Sequence, residues 1–449
     1  MPFTAKVYEH SINDPLLKYA EANDLIPATQ SGFRAFHSCE TAVAKIYSDF
    51  LEAKDMGKST LVVSIDLSAA FDTVDHDLLI KDLHKMGIRD NALSLIQTYL
   101  EDRTTQVQIH SSKSEPKPVP FGLPQGSVLS PLLFTLYTRS LALLIDEMGF
   151  EQHTYADDTL IYISFLPDEI DYIKEMLQHL FIRLKQWMHF RKLKINVDKT
   201  KVMLISPQLT KNRILDSFQN IIFDDITLHP VNEIKILGVI FDSDLTFKPQ
   251  INAVIRKCNF SIHKIKQVRA FLSRKTLILL VLNKIHSTID YCNTVYFQLP
   301  KSRLILLQRI LKQAVRLIYK LPPNDHTMHH AQELLHWLTI GPRITYKIII
   351  TFYKSKLVNA PAYITNFLQP GCESTRTRYF EPRIPGNHQF ATRAIKFAGP
   401  RLLNKLPQQL ISEKSFQKFK KDLKTLLFEN AYNYPYSSIL EIPDWNIPN

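Results

Sequence analysis

The chain has 449 residues, 45% of them hydrophobic and 22% charged, the proportions of an ordinary globular protein and not of a collagen-like, mucin-like or disordered one. The net charge of +12 is unevenly divided: residues 1–250 carry 25 Lys+Arg against 33 Asp+Glu, and residues 251–449 carry 30 against 10. A mildly acidic front half joined to a strongly basic rear half suggests attraction to a polyanion, nucleic acid first among them, although a merely soluble basic surface has the same composition.

In chain order, a short helix is expected after Pro15, stopping before Pro27, and residues 24–38 read as a loop. A helix follows and ends at Gly57. STLVVSID (59–66) is short, apolar and β-branched, the pattern of a buried strand. Residues 76–87 form an amphipathic helix closed by Gly87, and a second helix runs from Asp90 to about Arg103. Residues 104–126 alternate and then carry several prolines, so they read as a hairpin leading into a loop. A long helix covers 127–149 with Pro131 in its first turn. QHTYADDTLIYISF (152–165) alternates like a hairpin. A helix over 168–192 precedes strands around 201–206 and 234–242, and from about 249 the pattern is almost wholly helical and basic. Strands interrupted by helices, then a helical tail, predict an α+β fold with an α-helical appendage. No apolar run reaches the ~18–20 residues of a membrane span, and MPFTAKVYEH lacks the apolar core of a secretory signal. Cys39, Cys258, Cys292 and Cys372 are scattered with no CxxC pair, which fits reduced thiols in the nucleus or cytoplasm.

The chemistry is carried by carboxylates. Asp66 ends the apolar strand, and Asp157 and Asp158 sit between strand-forming residues in TYADDTLIY. Adjacent carboxylates in a hairpin turn repel each other unless a cation sits there. Strand alternation sends neighbouring side chains to opposite faces, so one can face an ion while the other assists from outside. Aspartate oxygens together with substrate phosphate oxygens suit Mg²⁺, and two such ions about 3.5–4 Å apart can stabilise both oxygens of a phosphoryl transfer. By itself YADD also fits an ordinary turn, where Asp is common.

It occurs in an ordered set: QSGFR (30–34), SIDLSAAFDTVDH (64–76), GLPQGSVLSPLLF (122–134), YADD (155–158), LKINVDKTKVML (193–204) and ILGV (236–239), with a step of 91 residues from Asp66 to Asp157. This set resembles the reverse transcriptases of non-LTR, LINE-type, Jockey-like retrotransposons. AGPRLLNKLP (398–407) and SFQKFKKDLKTLLF (415–428) are similar to the C-terminal region of such elements. The resemblance implies a right-hand polymerase: partial fingers in 1–60, a palm in 61–245, a basic helical thumb in 246–340 and a C-terminal retroelement region in 341–449. It implies two Mg²⁺ ions, with Mn²⁺ as an alternative, held by Asp66, Asp157, Asp158 and the Leu67 carbonyl. Phe71 would bar a 2′-OH, the group that separates RNA from DNA building blocks. Gln125, Gly126, Lys199 and Arg34 would meet the incoming nucleotide. For Gly126 the added reason is a helix start whose N–H groups attract phosphate; for Lys199 it is charge neutralisation or proton donation at the pyrophosphate.

Leu237 and Gly238 would grip the primer. In INAVIRKCNFSIHKIKQVRAFL (251–272), Arg256, Lys257, Lys264, Lys266 and Arg269 would hold a duplex backbone through phosphate contacts. The partners implied are an RNA template, a DNA primer and deoxynucleoside triphosphates, with no membrane. In HTMHHAQELLHW (326–337), His326 and His330 have an i,i+4 spacing without a recognisable metal pattern around it. Only about 29 residues precede QSGFR, where the family carries further finger residues and an endonuclease, so the expectation is an N-terminally truncated piece with weak or absent polymerase activity. Two rivals follow: an inactive retroelement fragment that only binds nucleic acid, and an RNA-copying RNA polymerase, against which Phe71 argues.

Overall fold

The computed structural model describes residues 3–196, 198–223, 226–322, 327, 330–357, 360–368 and 390–432. The chain forms two compact units, residues 1–35 with 59–231, and residues 36–58 with 232–449.

The first unit is built on a four-stranded antiparallel sheet. Strand β1 (Ser59–Ile65) lies at its centre, with β3 (Asp158–Phe165) on one side and β4 (Lys201–Ile205) on the other, and β2 (Glu151–Tyr155) pairs with the outer edge of β3. Successive side chains of a strand point to opposite faces, and Leu61, Val62 and Val63 are all buried, so β1 is covered on both faces. Leu61, Val63 and Ile65 share a core with Val202 and Leu204, with Phe134 and Tyr137 of helix Ser130–Glu147, and with Leu177, Leu180 and Leu184 of helix Ile170–Arg191. Helices on one face of an antiparallel sheet make this an α+β unit. Truncating Leu61 to alanine in such a core costs about 2–5 kcal/mol.

Two sequence expectations are corrected here. The first helix runs Phe3–Ala22 straight through Pro15. Proline costs it a backbone bond, but Glu9, Leu16 and Ala20 are buried on both sides of the interruption and hold the two halves together. The helix expected from 127 starts at Ser130. The Ser127 hydroxyl accepts the N–H groups of Leu129 (3.1 Å) and Ser130 (3.3 Å), so residues 127–129 act as a cap and not as helix. The hairpin expected after 104 is present as two short ladders, Thr104–Thr105 with Lys117–Pro118 and Gln108–Ile109 with Ser112–Lys113.

The second unit is mainly helical, as its composition implied. Its one hairpin among the described residues joins β5 (Glu233–Ile236) to β6 (Val239–Asp242). The Asp242 carboxylate accepts the N–H groups of Thr246 (2.9 Å) and Phe247 (2.6 Å). This starts helix Lys248–Val268 against the buried rings of Tyr47, Phe241, Phe247 and Tyr296, which meet edge to face. Burial pushes the Tyr47 phenol up to about 12, and it keeps a partner in Arg393 Nη2 at 2.7 Å. Further along, the Phe352 ring of helix Ile340–Leu357 lies against Gly399 of helix Ile395–Asn404, where a Cβ would stand 2.4 Å from it. Among the described residues no helix is long and apolar enough to cross a membrane.

Candidate active site

Asp66 follows the last residue of β1. One step beyond the final β1–β3 pair, Ile65↔Thr159, Asp66 stands opposite Asp158. Asp157 occupies the two-residue turn between β2 and β3, whose closing pair is Tyr155↔Asp158. The sheet register therefore brings all three carboxylates to one end of adjacent strands. They feel one another: partial burial, then the charges of Asp157 and Asp66, push the Asp158 carboxyl above its ordinary range, while Lys199 pulls it back.

Lys199 is fixed by a short ladder. Leu67 pairs with Ile195 and Ser68 with Lys194, and Asn196 N–H donates to the Asp66 carbonyl at 2.8 Å. The turn that follows carries the Lys199 ammonium to 3.3 Å from Asp66 Oδ2. Among the described residues no three acidic, histidine or cysteine side chains stand close enough to hold an ion as placed. Carboxylates without a cation between them repel, and the Lys199 ammonium stands 3.3 Å from Asp66 Oδ2. The donor chemistry nonetheless fits a hard divalent cation, being all oxygen and electrostatically strained by its own charge.

Phe71 lies in the short helix Ala70–Thr73, entered through Ala69 at φ +47°. Its ring stacks on Phe134 with centroids 4.4 Å apart, so its position is set from below. The Pro124–Gly126 loop is tied to the same turn. Leu123 N–H donates to the Phe71 carbonyl at 2.7 Å, and Gln125 Nε2 donates to the Asp72 carboxylate at 3.3 and 3.4 Å. At Gly122, φ is +86° and a Cβ would stand 2.7 Å from the Asp72 carbonyl oxygen, so only glycine brings the two segments this close. Gly126, at φ +82°, faces open space.

The N–H groups after Gly126 are not free for phosphate, which corrects the helix-start argument for this loop. Glu9 is buried and its Oε2 accepts both the Ser127 hydroxyl (2.7 Å) and Val128 N–H (2.5 Å). A carboxylate thus holds the place in which an anion was expected.

Arg34 of QSGFR is engaged by groups of its own chain. Arg34 Nη1 donates to the Pro27 carbonyl at 3.2 Å, and Nε lies 3.5 Å from Glu21 Oε1. Arg34 also lines a cavity of about 320 Å³ with Leu17, Ile26, Phe33 and Val128. The residues before it hold the β2–β3 hairpin. Gln30 forms a bridge with Thr154, Ser31 N–H donates to the Thr154 carbonyl at 2.9 Å, and Thr154 N–H donates to Thr29 O at 3.1 Å. Gln30 Oε1 accepts from Gly32 N–H (2.8 Å) and Ala156 N–H (3.2 Å). Sequence reasoning missed Gln30, Gly32 and Glu9. The signal available was glycine itself: with only 11 in the chain, each is a candidate for a close backbone approach.

In the second unit, Leu237 and Gly238 form the β5–β6 turn at φ +46° and +83°. Tyr291 braces it: its hydroxyl donates to the Leu237 carbonyl at 2.7 Å, and its ring lies 3.2 Å from where a Cβ on Gly238 would be. On helix Lys248–Val268 the residues Ile251, Val254, Cys258 and Ile265 are buried, leaving Arg256, Lys257, Lys264 and Lys266 exposed on the other face. Arg269 departs from that face. It lies beyond the helix in the turn Arg269–Phe271, half-buried, with Nε and Nη2 lacking hydrogen-bond partners. His326, His329 and Cys372 lie outside the described residues.

A strand-end aspartate beside a hairpin that carries two more, an aromatic floor and a nearby lysine define a polymerase-type palm. A family model described as reverse transcriptase (RNA-dependent DNA polymerase) matches residues 1–241, more than half of the sequence. The chain belongs to the reverse transcriptase family. It is 32% identical over 283 residues to the probable RNA-directed DNA polymerase from transposon BS of Drosophila melanogaster, covering 62% of this chain and 30% of that protein. It is 27% identical over 259 residues to the RNA-directed DNA polymerase from mobile element jockey of the same species, covering 57% and 27%. The chain thus spans under a third of the length of these relatives. An apo telomerase structure from Candida tropicalis aligns at 13% identity and a TM-score of 0.37 over 80% of this chain and 61% of that one, a likeness too distant to carry an argument.

Proposed function

We propose that this chain is the RNA-directed DNA polymerase domain of a non-LTR retrotransposon, extending a DNA primer 3′-OH with deoxynucleoside triphosphates on an RNA template. The observation that carries the reading is the convergence of Asp66, Asp157 and Asp158 at one end of β1 and β3, where partial burial and then the charges of Asp157 and Asp66 raise the Asp158 pKa. Asp66, Asp157, Asp158 and the Leu67 carbonyl would hold two Mg²⁺ ions, or Mn²⁺ in their place. Bound there, such ions supply Lewis-acid stabilisation of the attacking and leaving oxygens.

The chain's own residues do the rest. Phe71, backed by Phe134, presents an aromatic edge that excludes a ribose 2′-OH. Lys199, 3.3 Å from Asp66, would offer a positive charge and a proton to the leaving pyrophosphate. Gln125, Gly126 and Arg34 border the nucleotide. Leu237, Gly238 and the basic residues Arg256, Lys257, Lys264 and Lys266 hold primer and template by backbone contacts, so binding weakens with salt. In this reading residues 1–60 are fingers, 61–245 palm, 246–340 thumb and 341–449 the C-terminal region, and the work is done in the nucleus or cytoplasm.

The test is primer extension on an RNA template with Mg²⁺ or Mn²⁺, comparing the chain with an Asp157→Ala, Asp158→Ala variant. Extension that the variant loses supports the reading. A folded chain that binds RNA with salt sensitivity but extends nothing would leave a nucleic-acid-binding role in its place.

A further inference from the structure

The catalytic turn is held in a conformation its own sequence disfavours. Of its two loop residues, Ala156 has φ +59°. A two-residue hairpin with positive φ at its first position normally takes glycine there, and an alanine in that region is strained. The ladder offers no partner to the N–H of that residue, because the closing bonds belong to Tyr155 and Asp158. Gln30 supplies one. Its side chain is 3% exposed, and its Oε1 is shared between Ala156 N–H and Gly32 N–H. The approach needs Gly32: a Cβ there would stand 2.4 Å from Ala156 N. The flanking backbone bonds between Thr29, Ser31 and Thr154 fix the register of this bracket, and Ser31 Oγ lies 2.9 Å from His153 Nε2 beneath it.

We propose that Gln30, seated through Gly32, is a positioning residue for the catalytic turn: its Oε1 holds Ala156 left-handed and so sets where the next residue, Asp157, presents its carboxylate. The proposal rests on the reading of Asp157 as a metal ligand. Without the anchor, Ala156 relaxes to negative φ, the turn peptide rotates, and Asp157 leaves the common end of β1 and β3. QSG is then an internal support of the β2–β3 turn.

The experiment uses the full chain with Gln30→Met, which keeps length and loses the acceptor, and Gln30→Glu, which keeps an accepting oxygen. Two quantities are read: amide hydrogen exchange across residues 153–158, and Mn²⁺ affinity from titration of the metal alone. Gln30→Met is expected to speed exchange about tenfold or more and to weaken Mn²⁺ binding by about 10–100-fold, while Gln30→Glu restores both. Unchanged values in Gln30→Met, or equal losses in both variants, overturn the proposal, the second because it would make Gln30 a packing residue.

Should Gln30→Met fold poorly, the same substitution in an Ala156→Gly chain decides. Glycine carries no strain at that φ, so the losses caused by Gln30→Met should shrink several-fold, and equal losses in both backgrounds contradict the clasp. If the unaltered chain binds no Mn²⁺, the catalytic reading falls. Exchange at 153–158 then judges the clasp alone: faster in Gln30→Met supports it, unchanged refutes it.

Discussion

Two hairpin turns, one in each unit, solve the same backbone problem with different means. The β2–β3 turn places Ala156 at φ +59°, and the β5–β6 turn places Leu237 and Gly238 at +46° and +83°. Each puts a non-glycine residue where side chains crowd the backbone, and each is braced by one polar side chain distant in sequence. Gln30, 126 residues away, accepts from Ala156 N–H, whereas Tyr291, 54 residues away, donates to the Leu237 carbonyl. The second turn has the two positive φ values of a type I′ hairpin with glycine in its second position, a common pairing. The first has alanine where glycine is usual, and it has a backbone bracket besides the side-chain brace. The contrast teaches that the turn bearing reactive groups is the one the surrounding chain must hold by force.

The comparison breaks most visibly at Gly32. Gly32→Ala drives a Cβ into the backbone of Ala156, so the catalytic turn must move. A displacement of about 1 Å is enough to lower extension by about 10²-fold, measurable by single-turnover primer extension alongside a check that the chain still melts cooperatively. At the other turn the effect is milder. Tyr291→Phe removes one hydrogen bond, worth about 1 kcal/mol. Equilibrium denaturation should fall by that amount and primer binding should weaken, while Mn²⁺ affinity stays as it was.

The smallest effect concerns charge. Asp158 has its pKa raised in the folded chain, so the native state binds a proton more tightly than the unfolded state, and stability falls as pH rises from the ordinary carboxylate range through the raised value. Asp158→Asn removes that penalty. The metal-free variant should melt higher than the unaltered chain at neutral pH and lose the advantage in acid, as read by thermal unfolding across pH.

Much of this was legible in the sequence because it is local. An apolar β-branched run ending in Asp66 predicts a strand-end carboxylate, and alternation around YADD predicts a hairpin; both are present. The amphipathic pattern of 251–272 likewise gives a buried face at Ile251, Val254, Cys258 and Ile265. What was not legible is contact between segments far apart. Nothing periodic marks Gln30 as the acceptor for Ala156, or Glu9 as the buried carboxylate that takes Val128 N–H. Pro15 misled for the opposite reason: its local cost is real, but burial of Glu9, Leu16 and Ala20 overrides it. Arg269 belongs to the charge pattern of its helix by sequence alone, yet the helix ends one residue earlier and turns it inward.

The central claim is that this palm builds DNA on RNA, and the most direct measurement is single-nucleotide incorporation on an RNA template with deoxy- and ribonucleoside triphosphates, in the chain and in Phe71→Ala. The account predicts that the chain adds the deoxynucleotide and rejects the ribonucleotide, and that the variant, its floor over Phe134 opened, accepts both. Equal use of both sugars by the unaltered chain, or incorporation of neither by a folded one, would contradict it.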